Sequence, residues 1–140
     1  MALRPLLTTI ALVAGLPALA DEPIGAAVSI ELNAARTIEG ACTLSFLVQN
    51  GHDAPIDQAI YEAVLFDAAG QVERLTLFDM GALPPARPRV RQFALAGQTC
   101  EALGAILING AETCSGADLP ERACETDLLL TSRTAIALKG

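Results

Sequence analysis

Few residues in this chain have types and spacing suited to chemistry. They are four cysteines (Cys42, Cys100, Cys114 and Cys124), a single histidine (His52), an acidic group (Asp118, Glu121, Glu125 and Asp127) and a basic run, Arg87-Pro88-Arg89-Val90-Arg91. Four cysteines allow three disulfide pairings. Zinc is the competing use, but there is no Cys-x-x-Cys and no Cys/His pair at finger-like spacing. The thiols are therefore expected as structural disulfides, with no metal and no cofactor.

Any Ser-His-Asp or Cys-His mechanism would have to run through His52. It stands in Asn50-Gly51-His52-Asp53-Ala54-Pro55, a stretch dense in turn formers, and is expected as a solvated turn residue. A general base needs a nucleophile within hydrogen-bond reach and a group that orients its ring, and no partner motif is present. The acidic group offers hard oxygen ligands, yet the Asp-x-Asp-x-Asp-Gly pattern of a calcium loop is missing. Glycosidase chemistry would add sugar-stacking aromatics, and the chain has no Trp and one Tyr. No catalytic residue is assigned.

The arginines are the best lead to a binding site. On an extended segment Arg87, Arg89 and Arg91 share one side, where three guanidinium groups can hold a carboxylate or phosphate. The structural alternative pairs each with an acid on a neighbouring strand and uses the charges to protect a sheet edge. The two readings place the side chains differently.

The elements that position these residues begin with a leader. Arg4 precedes an apolar run from Leu6 to Leu16, and Pro17 leads into Ala18-Leu19-Ala20 before Asp21. This is the pattern of a cleavable secretory signal, residues 1–20, with cleavage after Ala20. The run is shorter than the roughly 20 residues that span a bilayer, so no membrane span is expected. The protein is thereby expected in the periplasm or secreted, where cysteines oxidise. Residues 21–140 then form a single domain, within the usual range of about 100 to 150 residues.

Net charge is −7, and Arg4 of the leader is one of only nine basic residues. An acidic surface of this kind disfavours nucleic acid as a partner. Strand signals recur at short spacing through residues 21–140. Val28, Ile30 and Leu32 alternate with polar neighbours, as do Leu44, Phe46 and Val48. Further strands are expected over about 58–66, 72–78, 89–95, 105–109 and 128–138, with residues 81–88 crossing between sheets. Alternation places Leu65, Leu75 and Phe93 in the core beside the first two sets.

Seven short strands with Gly and Pro punctuation predict an all-β fold, an antiparallel β-sandwich with two disulfides. If the second strand pairs antiparallel with the fifth, the end of the fifth returns Cys100 beside Cys42. Cys114 then pairs with Cys124 and staples the long loop that holds both.

The runs Cys42 to Gly51, Ala63-Val64-Leu65-Phe66-Asp67-Ala68-Ala69-Gly70 and Gly81-Ala82-Leu83-Pro84-Pro85 resemble the immunoglobulin-like modules of bacterial envelope proteins. Over nearly its whole length the chain is also similar to a group of small uncharacterised secreted bacterial proteins. The first resemblance implies an immunoglobulin-like fold and carries no catalytic residue across; the second implies no activity.

The expectation for function is a non-enzymatic binding or accessory module whose partner is another envelope or secreted protein. Two alternatives stand beside it. One is a small hydrolase or metal-handling protein built on His52 and nearby carboxylates, and the other is a structural subunit of an envelope assembly.

Overall fold

The computed structural model describes residues 23–140; the leader expected over residues 1–20 lies outside the described residues. The described residues form strands and no helix. β2 (Ala41–Asn50) shows the two-residue period most directly: Cys42, Leu44, Phe46, Val48 and Asn50 are buried, and the residues between them are half-buried. β1 (Val28–Ile38) pairs antiparallel with it and buries Val28, Ile30 and Leu32, until a register shift beside Asn33 ends the alternation. The remaining strands are β3 (Ile56–Asp67), β4 (Val72–Leu83), β5 (Arg89–Leu95), β6 (Leu103–Ser115), β7 (Leu129–Ser132) and β8 (Ala137–Lys139).

They form two four-stranded sheets, ordered β5-β2-β1-β7 and β4-β3-β6-β8. Buried residues of both sheets share one core, in which Phe46 of β2 and Phe78 of β4 approach with ring centroids 5.2 Å apart. Phe93 of β5 lies 4.8 Å from Phe78 and is half-buried rather than enclosed, because β5 and β4 are both edge strands.

The expected seventh strand, 128–138, is in fact two, so the described residues form eight strands and not seven. Ser132 donates to the carbonyl of Ile136 at 2.6 Å, and the hydroxyls of Ser132 and Thr134 accept from the backbone N–H groups of Thr134 and Ile136. These bonds turn the chain from one sheet to the other. The arrangement is not wholly antiparallel either: β7 runs parallel to β1, and β8 runs parallel to β6.

Leu75 also departs from expectation, since it is 59% exposed. The register of β4 against β3 sets Phe78 opposite the buried Tyr61 and Thr76 opposite the buried Ala63. From Arg74 to Met80 the even-numbered residues of β4 therefore face the core and Leu75 and Leu77 face outward, while Val72, beyond a register shift that sets it opposite Phe66, is also exposed.

Both expected disulfides are present, Cys42–Cys100 with Cα atoms 4.8 Å apart and Cys114–Cys124 with Cα atoms 5.9 Å apart. The first follows from the antiparallel pairing of β2 with β5, which places Cys42 opposite Leu95 just before the turn that carries Cys100.

Candidate functional site

Four connections meet at one end of the two sheets: residues 23–27 before β1, 51–55 between β2 and β3, 84–88 between β4 and β5, and part of the loop after β6. Asn50, the last residue of β2, holds two of these connections, 51–55 and 84–88, together from the inside. Its side chain is fully buried. Its Nδ2 donates to the carbonyls of Ala54 at 2.9 Å and Leu83 at 3.0 Å, and its Oδ1 accepts from the backbone N–H of His52 at 2.9 Å. Its own carbonyl accepts from the N–H of Ala86 at 2.8 Å. A buried carboxamide with both ends engaged fixes loop geometry, because each bond lost would leave a polar group stranded away from water.

Gly51 brings in the first connection. Its N–H donates to the carbonyl of Ala27 at 2.8 Å, and a Cβ built on it would lie 2.0 Å from the carbonyl oxygen of Gly25. Only glycine allows this approach of two backbones.

His52 is not solvated as expected; it is 7% exposed. Its Nε2 lies 2.8 Å from the carbonyl of Ala123, which accepts only, so Nε2 carries the hydrogen. The bond ties the β2–β3 loop to the segment between the disulfide-bonded Cys114 and Cys124. Tyr61 reinforces the same segment by donating its hydroxyl to the carbonyl of Cys124 at 2.9 Å. Burial, and secondarily the Glu125 carboxylate, pushes its phenol well above the usual tyrosine range.

Between these connections lies an open cleft of about 690 Å³. Ile24, Ala54, Ala86 and Pro120 contribute apolar surface, and Gln49, His52, Asp53 and Asp118 contribute polar groups. Its lining residues include no Ser, Thr, Tyr or Cys. Among the described residues no group of three or more His, Cys, Asp or Glu is placed to hold a metal.

The acidic group of the sequence is dispersed. Asp118 reaches the cleft, whereas Glu125 accepts from the backbone N–H of Ala111 at 2.8 Å and pairs with Arg122 at 3.2 Å. Those contacts, the Ala111 N–H first, hold the Glu125 carboxyl below its ordinary range.

The three arginines separate. Arg89 and Arg91 lie on the same face of β5 as Phe93 and Leu95, the face that turns toward the core. Arg91 reaches across to β4, where its Nε donates to the carbonyl of Met80 at 2.7 Å and its Nη2 to that of Ala82 at 3.1 Å. Arg89 donates to the neighbouring carbonyl of Pro88, and Arg87 is exposed. Among the described residues the ion pairs are Arg122–Glu125 and Arg133–Glu31, and none of the three belongs to either. Pairing with acids of neighbouring strands is therefore not how this run is held. Sequence reasoning missed the roles of Asn50 and Arg91, for which Asn-Gly and a strand-edge arginine were the only visible signals.

No family model matches the chain, and no curated protein and no solved structure matches it.

Proposed function

We propose that this is a non-enzymatic secreted or periplasmic binding module with an immunoglobulin-like fold, which recognises a protein partner of the cell envelope through the cleft at its loop end. The observation that carries the reading is the buried Asn50 network, which holds the 51–55 and 84–88 connections in fixed relation beside an open, largely apolar cleft. Binding sites of sandwich folds are built from loops held in this way on a rigid scaffold. The strand orders β5-β2-β1 and β4-β3-β6 support the fold assignment, since they correspond to E-B-A and C′-C-F of a variable-type immunoglobulin domain. The split and parallel β7 and β8 depart from that pattern.

Export is supported by the leader pattern and by two disulfides with no free cysteine, the state expected in an oxidising compartment. No helix among the described residues is long and apolar enough to cross a membrane. A nucleophilic hydrolase built on His52 is disfavoured by a cleft lining without hydroxyl or thiol side chains.

Site-specific photo-cross-linking tests the reading. A photoreactive residue at Ala54 or Ala86 should capture the same envelope protein, and one at Val72, on the outer face of the other sheet, should not. Capture from Val72 alone would instead favour the structural-subunit alternative.

A further inference from the structure

The chain holds three asparagines, Asn33, Asn50 and Asn109, and they differ in the two properties that govern loss of a side-chain amide. One is the residue that follows, because a glycine leaves the next backbone nitrogen unhindered. The other is the freedom of the carboxamide to turn toward that nitrogen. Asn33 is exposed but precedes Ala34. Asn50 precedes Gly51 but is fully buried, with both ends of its carboxamide engaged and the Gly51 N–H committed to the carbonyl of Ala27. Asn109 alone is exposed and precedes a glycine, Gly110.

The strand pairing creates this combination. Glu62 of β3 sits opposite Gly110 and Ala63 sits opposite Ile108, so Asn109 is the extra residue of a bulge and has no partner in that ladder. On its other side β6 pairs with β8 only as far as Leu107. Gly110 takes φ of 157°, which L side chains rarely adopt, so the chain calls for glycine at the very place where Asn109 is exposed. Among the described residues the Asn109 carboxamide makes one bond, from Nδ2 to the half-buried Glu62 carboxylate.

We propose that Asn109 is a site of spontaneous covalent modification. The Gly110 nitrogen attacks Cγ of Asn109, and the new N–C bond closes a succinimide. The Cγ–Nδ2 bond breaks, and Nδ2 leaves as ammonia with the proton that Gly110 gives up. Water then opens the ring, yielding isoaspartate by attack at the main-chain carbonyl or aspartate by attack at Cγ. Either product takes away the donor held by Glu62 and adds a negative charge next to it. Isoaspartate also lengthens the β6 backbone by a methylene just before Ala111, whose N–H is held by Glu125.

The test incubates the folded, disulfide-bonded protein in ¹⁸O water at mildly alkaline pH and maps its peptides by mass spectrometry. Label should enter at Asn109, with isoaspartate in excess of aspartate. Asn33 and Asn50 should convert at least about tenfold more slowly, Asn50 because it reacts only in openings that free its carboxamide. After reduction and in urea, Asn50 should convert as fast as Asn109. If Asn109 stays intact in the folded protein, or if Asn33 or Asn50 keeps pace with it there, the proposal fails. Aspartate without isoaspartate would overturn the succinimide route.

The variant Asn109→Asp reads the consequence separately. It should lower the urea midpoint by an amount that added salt reduces, and Glu62→Gln in the same chain should restore most of the loss. A loss unmoved by salt and by Glu62→Gln would overturn the part assigned to Glu62.

Discussion

Arg91 Nε donates to the carbonyl of Met80 at 2.7 Å, so a charged side chain of one sheet caps the exposed backbone edge of the other. The reach is mirrored further along the same flank, where Arg74 of β4 extends toward the carbonyl of Ala96 beyond β5, at 3.5 Å. Phe78 and Phe93 meet between the two arginines. Inward-turned charge on edge strands is a recognised guard against pairing with a further strand, and here it also joins the sheets.

Replacing Arg91 with Gln should therefore destabilise the fold by roughly 1–3 kcal/mol, the range for losing charge-assisted bonds to part-buried carbonyls. Replacing Arg87 or Arg89 should change stability by less than about 0.5 kcal/mol, as for surface positions in general. Urea denaturation of the three single variants checks the ranking. Equal losses would show that the run acts as a unit.

Asn50→Asp keeps the shape of the buried network and reverses its chemistry, because a carboxylate cannot donate to the carbonyls of Ala54 and Leu83. The variant should lose more than about 3 kcal/mol and should be less stable than Asn50→Ala, which strands the same groups without burying a charge. Midpoints in urea measured side by side would decide. An aspartate variant as stable as the native protein would mean that the network is not what holds the loops.

Gly51→Ala and Gly70→Ala separate crowding from backbone strain. At Gly51 the added carbon meets the Gly25 carbonyl, whereas at Gly70, with φ of 82°, it meets nothing within 4 Å. Gly70→Ala should lower stability by only about 1–2 kcal/mol, the left-handed penalty alone. Gly51→Ala should in addition free the amide of residue 51 from Ala27, seen as faster hydrogen exchange there.

The single tyrosine makes an alkaline titration unambiguous. Burial raises the folded-state pKa of Tyr61, so the neutral phenol contributes stability that is fully present below the unfolded value near 10 and is lost as pH rises toward the folded value. Absorbance of the phenolate at about 295 nm should therefore rise only together with unfolding. Glu125 has the opposite sign. Its lowered pKa contributes stability above the ordinary glutamate range that is lost as pH falls through the folded value, and Glu125→Gln should flatten that acid limb.

The two disulfides should differ in weight. Cys42–Cys100 spans 58 residues and Cys114–Cys124 spans 10, so on the chain-entropy model removing the first costs about 4 kcal/mol and the second about 3. Serine pairs compared by urea denaturation test the order. The shorter bridge should matter more to the cleft, because the loop it closes carries Asp118 and the Ala123 carbonyl that orients His52.

Much of this scaffold was legible in residue patterns. Leu44, Phe46 and Val48 alternate with wetter neighbours, and a strand with one buried face is the physical reading of that period. The β2–β5 pairing then carried the first disulfide with it. β4 misled because Leu75 and Leu77 are more apolar than Arg74 and Thr76, yet register against Tyr61 turns the side bearing Phe78 and Met80 inward. Tertiary pairing overrode local hydrophobicity. The cleft was less legible still, since an Asn-Gly turn reads the same whether its asparagine is solvated or fully enclosed.

The two parallel pairings at the chain's end constrain how the molecule is assembled in time. Ser29 of β1 sits opposite Leu129 of β7, and Ala105 of β6 sits opposite Ala137 of β8. Hairpins such as β1–β2 and β3–β4 form from neighbours in the chain, but the β1–β7 contact must close a loop of nearly the whole described length. Both sheets stay one strand short until residues 129–139 arrive. A chain stopped before Leu129 would expose two bare strand edges at once, on β1 and on β6, and the order of synthesis leaves those edges as the last to be covered.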